Sequence, residues 1–417
     1  MQGQAPSTPT ELRPAVHQPR SVRPPLVVYV LAVGTFLMLT TEFVVAGILP
    51  QIAGDLQVDV ARAGMLITVC AVGMVVGAPL MAMLTLRLPQ RLTLVLALAL
   101  ALAMFALGHV IVAAGSGFGV LVAARFLTAL ATGAFWAVAA VVATRVAGPG
   151  AGSRAVGIVN AGGMLATVLG VPLGAFAAQL IGWRGTFWAL AVLAVAAIPV
   201  IARHVSHQGP EHGAASLRAE LTSLGSGRLW LVLAACATTT GGVLAAYSYI
   251  APLLTDRTGI PAHLVSLVLA GFGLGSLAGS VLGGRLGDIR PHATTIVAPA
   301  ATTTLLLAIC LVSGAALPTT VLIALLGLFG LGANPVLISL AVRYADHAPT
   351  LGSSLSVAAF NVGTAAASWI GGIARGSGLG PVGPVAVGAA IAAVTLVPAI
   401  ALALTHRRRA LGATATT

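Results

Sequence analysis

The sequence predicts an all-α polytopic membrane protein with twelve transmembrane helices in two six-helix bundles related by pseudo-two-fold symmetry. Three observations carry that prediction. Of 417 residues, 58% are hydrophobic and only 7% charged, whereas soluble domains carry roughly 25% charged residues. The chain therefore lacks the polar surface that a water-facing protein of this size needs, which excludes an ordinary cytoplasmic enzyme. Apolar runs of about 20 residues, long enough to cross a bilayer as a helix, recur along the chain. One polar stretch separates six such runs from six more.

Taken in order, residues 1–25 are polar and proline-rich, show no cleavage signature, and read as a disordered cytoplasmic tail. The N-terminal bundle occupies 26–203, with spans predicted at 26–50, 63–86, 92–113, 117–143, 155–181 and 186–202. Residues 204–228 mix Ser, Gly, Pro, His and both signs of charge and are expected to form a cytoplasmic linker. The C-terminal bundle occupies 229–406, with spans at 229–254, 264–284, 294–313, 318–340, 351–374 and 382–405, and 407–417 is a second cytoplasmic tail. A shift of 198 residues superposes Gly73 on Gly271, Gly77 on Gly275 and Arg87 on Arg285, which supports two related halves.

The formal charge of +12 comes from arginine without any lysine. In a soluble protein it would suggest nucleic-acid binding, but here the arginines sit in short loops and set orientation. With the amino terminus inside, sixteen fall on inner segments and four (Arg62, Arg184, Arg257 and Arg375) on outer ones, which predicts cytoplasmic termini. Cys70, Cys236 and Cys310 lie in apolar runs without metal-ligand or disulfide spacing.

Glu42 is the one acidic residue of nine that lies well inside a span. A carboxylate at bilayer depth costs about 2.5 to 3.5 kcal/mol on insertion scales, so it is expected to face a cavity or to be protonated. Burial disfavours the charged form and a cationic neighbour favours it, and a group balanced between the two can carry a proton. Arg125 is the only intramembrane arginine, and counting residues along spans one and four puts it at a height similar to Glu42. A permanently protonated Glu42 and a purely structural Arg125 are the bland alternatives. His109, near the outer end of span three, is expected to cap that helix at the headgroups.

Several motifs carry a family resemblance. The run Thr41-Glu42-Phe43-Val44-Val45-Ala46-Gly47-Ile48-Leu49-Pro50, with Gly77-Ala78-Pro79-Leu80, Gly170-Val171-Pro172-Leu173-Gly174 and Gly182-Trp183-Arg184, resembles the major facilitator superfamily. Within it the chain is similar to the twelve-span drug:proton antiporters of the arabinose-efflux and chloramphenicol-exporter branch. The resemblance implies that family's fold, ties Arg125 to proton coupling, and makes Gly170, Pro172 and Gly174 an exporter motif. The loop after span two keeps Arg87 and Arg91 but has Leu86 in the family's acidic place, while the second-half loop keeps Arg285 and Asp288. This puts first-half gating salt bridges in doubt.

Gly271, Gly275, Gly279 and Gly283 form an i, i+4 ridge in span eight that allows close helix approach, either as a sliding face or as plain packing. Phe135, Trp136, Asn160, Met164, Tyr247, Tyr249, Asn334 and Asn361 are candidate cavity-wall residues, because amides and phenols in apolar helices orient an amphiphilic ligand. Tyr247 and Tyr249 could instead be interface aromatics, and asparagines often tie helices together.

The sequence thus predicts a proton-coupled antiporter of the inner membrane that exports amphiphilic small molecules, with phenicol antibiotics the best single guess. It predicts a monomer that needs no cofactor beyond the proton gradient, with substrate, protons and lipid as partners and no nucleic acid. A sugar or nucleoside exporter and a non-transporting membrane sensor or structural protein stay open as alternatives.

Overall fold

A computed structural model describes residues 25–86, 90–147, 152–205, 225–345 and 349–414. All of its regular structure is helical. The first half contains α1 (Leu26–Asp55), α2 (Val60–Leu86), α3 (Gln90–Ala114), α4 (Phe118–Ala147), α5 (Gly152–Leu165) and α6 (Val171–Val205). The second half contains α7 (Gly227–Tyr247), α8 (Ala262–Ile289), α9 (Pro291–Val312), α10 (Ala316–Gly330), α11 (Asn334–Tyr344), α12 (Pro349–Arg375) and α13 (Gly383–Thr414). Eleven helices are long and apolar enough to cross a membrane, and a shorter apolar one covers Gly157–Gly170. The expected N-terminal tail up to residue 24 and the centre of the linker fall outside the described residues, whereas α13 continues as helix through Thr414, into the segment expected to be the C-terminal tail.

Twelve crossings follow once α6 is divided. Gly182 has φ 75° and ψ 161°, a backbone region open essentially to glycine alone. The chain doubles back there, so that Thr186 Oγ1 donates to Gly174 O at 3.3 Å across the turn. The fifth and sixth spans are therefore an antiparallel pair, as the sequence places them.

Three spans are not continuous helices, and each break has a proline behind it. A π-helical turn, Ala166–Gly170, joins α5 to α6 just before Pro172. The seventh span breaks at Ser248–Tyr249 and continues through a short helix, Ile250–Pro252, and a π turn, Leu253–Arg257. The tenth span turns between α10 and α11 just before Pro335. In each case the ring nitrogen cannot bond the carbonyl four residues earlier, that of Val168, Ser248 or Leu331. Irregular backbone at membrane depth survives only where protein or a cavity covers it.

The apolar core is shared at one end and divided at the other. At the end away from the termini, a single cluster takes Val44, Ile48 and Leu49 from the first half and Val243, Ile250 and Leu269 from the second. At the end bearing the termini each half has its own cluster, Leu98, Val142 and Val159 in one and Leu229, Leu337 and Leu402 in the other. Leucine and valine on the outer faces of α3, α6, α8 and α9 stay exposed, as lipid-facing helices require.

Candidate functional site

The site is built where α1 passes between α2, α3 and α4 and meets the break in the seventh span. α1 presents Thr41 and Glu42 to different neighbours. Glu42 is half-buried and lines a cavity of about 10 Å³ with Phe43, Ala46 and Ile67 from the first half and Leu244, Tyr247, Ser248 and Thr364 from the second. That volume suits about one water molecule. Ser248 is 1% exposed and its hydroxyl has no hydrogen-bond partner. The carboxyl group therefore sits on the seam between the halves, beside the irregular backbone of Ser248–Tyr249.

Arg125 stands behind it on α4, 1% exposed. Its Nη1 donates to Thr41 O at 3.2 Å and to Thr41 Oγ1 at 3.5 Å, while Nε and Nη2 have no partner. Glu42 and Arg125 are close enough for the charge on one to act on the other. They are nevertheless not an ion pair within 4.0 Å; the ion pairs among the described residues are Arg184–Asp55 and Arg375–Asp256. The depth count from sequence thus brings these two residues together without direct contact.

His109 completes the cluster and corrects its expected place. It is fully buried rather than at the headgroups, with Nδ1 2.7 Å from Phe105 O and Nε2 2.6 Å from Thr41 Oγ1. Phe105 and Phe187 flank its ring. Cys70 on α2 lies against Arg125.

The other candidate residues fall into separate groups. Tyr247 lines the Glu42 cavity and packs between the rings of Phe43 and Phe272. Trp136 Nε1 donates to Asn160 Oδ1 at 3.1 Å, tying α4 to α5, and Met164 is partly exposed further along α5. Asn361 is 7% exposed and donates to Val357 O within α12. Asn334 opens α11, and its side-chain oxygen is buried without a partner. Phe135 is 1% exposed and its ring packs onto Gly34 in the first-half core. Tyr249 is also enclosed, its hydroxyl donating to Ser368 O at 3.1 Å and its ring filling the space at Gly64 and Gly372, so it clamps α2 to α12.

The small residues mark close packing. Gly170 and Gly174 face Thr40 and Val44 on α1, with half-buried Pro172 between them. Gly275, Gly279 and Gly283 pack onto the backbone of Ala324, Leu328 and Gly332, inside one half, and Gly271 lies more loosely near Ala324. Gly73 and Gly77 meet Phe126 and Leu130 in the same way. The shift that superposes the glycines also superposes these partners on Ala324 and Leu328, so the Gly77–Leu130 contact recurs as Gly275–Leu328, while Gly271 lacks the backbone contact that Gly73 makes. Arg285 is exposed; Arg87 and the side chains of Arg91 and Asp288 lie outside the described residues.

Sequence reading missed Thr41, Cys70, Ser248 and Thr364 as members of this site. Thr41 had a signal, since it adjoins Glu42 inside the quoted motif. The others had none.

Comparisons with known proteins agree on the family. The Major Facilitator Superfamily profile matches residues 31–254. A chloramphenicol resistance protein of Streptomyces lividans is 35% identical over 378 residues, covering 90% of this chain and 95% of the relative. The inner membrane transport protein YdhP of Escherichia coli (strain K12) is 32% identical over 369 residues, 88% of this chain and 93% of the relative. Among solved structures, a bacterial homologue of the human lysosomal transporter Spinster, in an inward-facing and occupied conformation, superposes with a TM-score of 0.70 at 16% identity, covering 92% and 96% of the two chains.

Proposed function

The chain belongs to the Major Facilitator Superfamily of membrane transporters, and we propose that it is a proton-coupled antiporter that exports uncharged amphiphilic small molecules, phenicol antibiotics first among them. It works in the inner membrane as a monomer with both termini in the cytoplasm. The observation that carries this reading is the placement of Glu42: a carboxyl group in a cavity on the seam between the halves, with a buried, incompletely paired guanidinium behind it.

The cycle follows from that placement. The shared core at the far end holds the outer side closed, and the separate clusters at the other end let the cytoplasmic side open. Ionised Glu42 draws the free donors of Arg125 while substrate enters from the cytoplasm. Opening outward exposes Glu42 to an external proton, and the substrate leaves. Closing again carries the proton inward. Linkage requires proton and substrate to weaken each other's binding. The 35% identical relative named for chloramphenicol resistance supports the choice of substrate class.

Adding chloramphenicol to the purified protein in lightly buffered detergent is expected to release protons, and Glu42→Gln to abolish the release. Absence of release from the wild type across a panel of neutral drugs would sink this reading. Expression in an efflux-deficient bacterial host is expected to raise tolerance to phenicols but not to toxic sugar analogues.

A further inference from the structure

Many buried threonines in this protein bond back along their own helix, while Thr239 and Thr240 find no hydrogen-bond partner and Thr186 and Thr319 reach Gly174 O and Val312 O. Thr35, Thr128, Thr132, Thr302 and Thr395 each donate to a carbonyl three or four residues earlier. Thr41 is different: its hydroxyl reaches off α1 to His109 on α3, at 2.6 Å. For a neutral ring the roles in this contact follow from its other side. Phe105 O can only accept, so Nδ1, 2.7 Å away, carries the proton, and Nε2 of the neutral ring accepts from Thr41. The Thr41 hydroxyl hydrogen is then committed to His109, which leaves its lone pairs for Arg125 Nη1 at 3.5 Å, beside the carbonyl bond at 3.2 Å.

We propose that His109 is the positioning residue that helps hold Arg125 away from Glu42, by accepting the Thr41 hydroxyl proton and so turning the lone pairs of Thr41 Oγ1 onto a guanidinium already bonded to the Thr41 carbonyl. The inference rests on the proton-coupling reading of Glu42. The groups that face the cluster are Arg125 from α4, His109 from α3, Cys70 from α2 and, across the cavity, Tyr247 from the second half. Arg125 is the only permanent cation among them. Its distance from Glu42 decides how readily the carboxyl group ionises, and the His109–Thr41 contact helps set that distance. Without an acceptor at position 109, Thr41 is free to bond back to Leu37 O like its counterparts, and the guanidinium is free to move onto the carboxylate.

The test is proton release from the purified full-length protein on adding chloramphenicol, followed over a pH series. His109→Leu and Thr41→Val are expected to move the half-maximal pH downward by about one unit, because a guanidinium in contact stabilises the ionised carboxylate. His109→Gln, whose amide oxygen still accepts, is expected to restore the wild-type midpoint. Unchanged midpoints in both His109→Leu and Thr41→Val, with Glu42→Gln still silent, would overturn the role of His109 and leave the antiporter reading standing. A wild type that releases nothing would remove the antiporter reading and this inference together. Thr41→Val keeps the test open should His109→Leu fail to fold. Independently of transport, nitrogen-15 NMR at neutral pH is expected to show a neutral His109 with its proton on Nδ1, and an imidazolium or an Nε2–H tautomer would refute the inference.

Discussion

Ser248 has a buried hydroxyl with no partner, which costs a membrane protein stability unless the group is used. It also lines the same small cavity as Glu42, from the opposite half. Ser248→Ala is therefore expected to leave thermal stability in detergent unchanged or raise it by up to about 1 kcal/mol, while slowing chloramphenicol export in proteoliposomes. A clear drop in stability would show that the hydroxyl has a partner after all. Glu42 and Arg125 were legible in the sequence because a charge inside an apolar run is expensive, whatever surrounds it. Ser248 and Thr41 were not, because a hydroxyl in a helix can satisfy itself locally, and only packing shows which ones do not. The same ambiguity misplaced His109, whose position near a helix end was no guide to the ring contacts that bury it. Phe135 and Tyr249 carry the residue types of a binding wall, yet the structure uses them to fill space against Gly34, Gly64 and Gly372.

The helices themselves were readable from hydropathy and the breaks within them only in part. Pro172, Pro252 and Pro335 each follow a missing or displaced helical bond, but Pro50, Pro199, Pro299 and Pro398 sit inside helices that run on through them. A proline removes one donor in every case. Whether the helix then breaks depends on what covers the freed carbonyl, which the local sequence does not state. The glycine ridge of α8 was equally visible as a pattern and undecided in meaning. Its contacts are with α10 and the turn after it, within one half, and they are tight. A Cβ at Gly279 would overlap the backbone of Leu328, whereas one at Gly271 would sit 3.7 Å from Ala324 Cβ in ordinary contact. Gly279→Ala is therefore expected to cost about 1 to 3 kcal/mol in thermal or denaturant unfolding, as overpacking does, and Gly271→Ala close to nothing. Gly77→Ala, facing Leu130 O in the first half, is expected to behave like Gly279→Ala. Equal losses at Gly271 and Gly279 would contradict the close approach of α8 to α10.

At the scale of the whole molecule the two halves repeat more than their helices. Each ties its far end with one ion pair, Arg184 to Asp55 at 2.9 Å in the first and Arg375 to Asp256 at 3.0 Å in the second, and each pair joins segments of the same half. They brace the bundles and do not lock the bundles to each other. What crosses the seam there is uncharged: the shared apolar core, the Tyr249 ring against Gly64, the edge contact of Phe43 with Tyr247 at 6.1 Å, and Gln179 Nε2 donating to Ala262 O at 3.2 Å and Ser266 Oγ at 3.3 Å. Rigid halves with a separable seam are what rocking about a central site requires. If the far end must open in each cycle, joining it covalently stops transport without unfolding either half. Cysteines at Gln179 and Ser266, bridged by a short thiol crosslinker, are expected to abolish chloramphenicol export, and a reductant to restore it. Because the opposite end stays free, the bridged protein is expected to keep binding chloramphenicol with an affinity within a few fold of the unbridged form, by equilibrium dialysis in detergent. Export at the uncrosslinked rate through a fully bridged protein would mean that the far-end seam is not the gate.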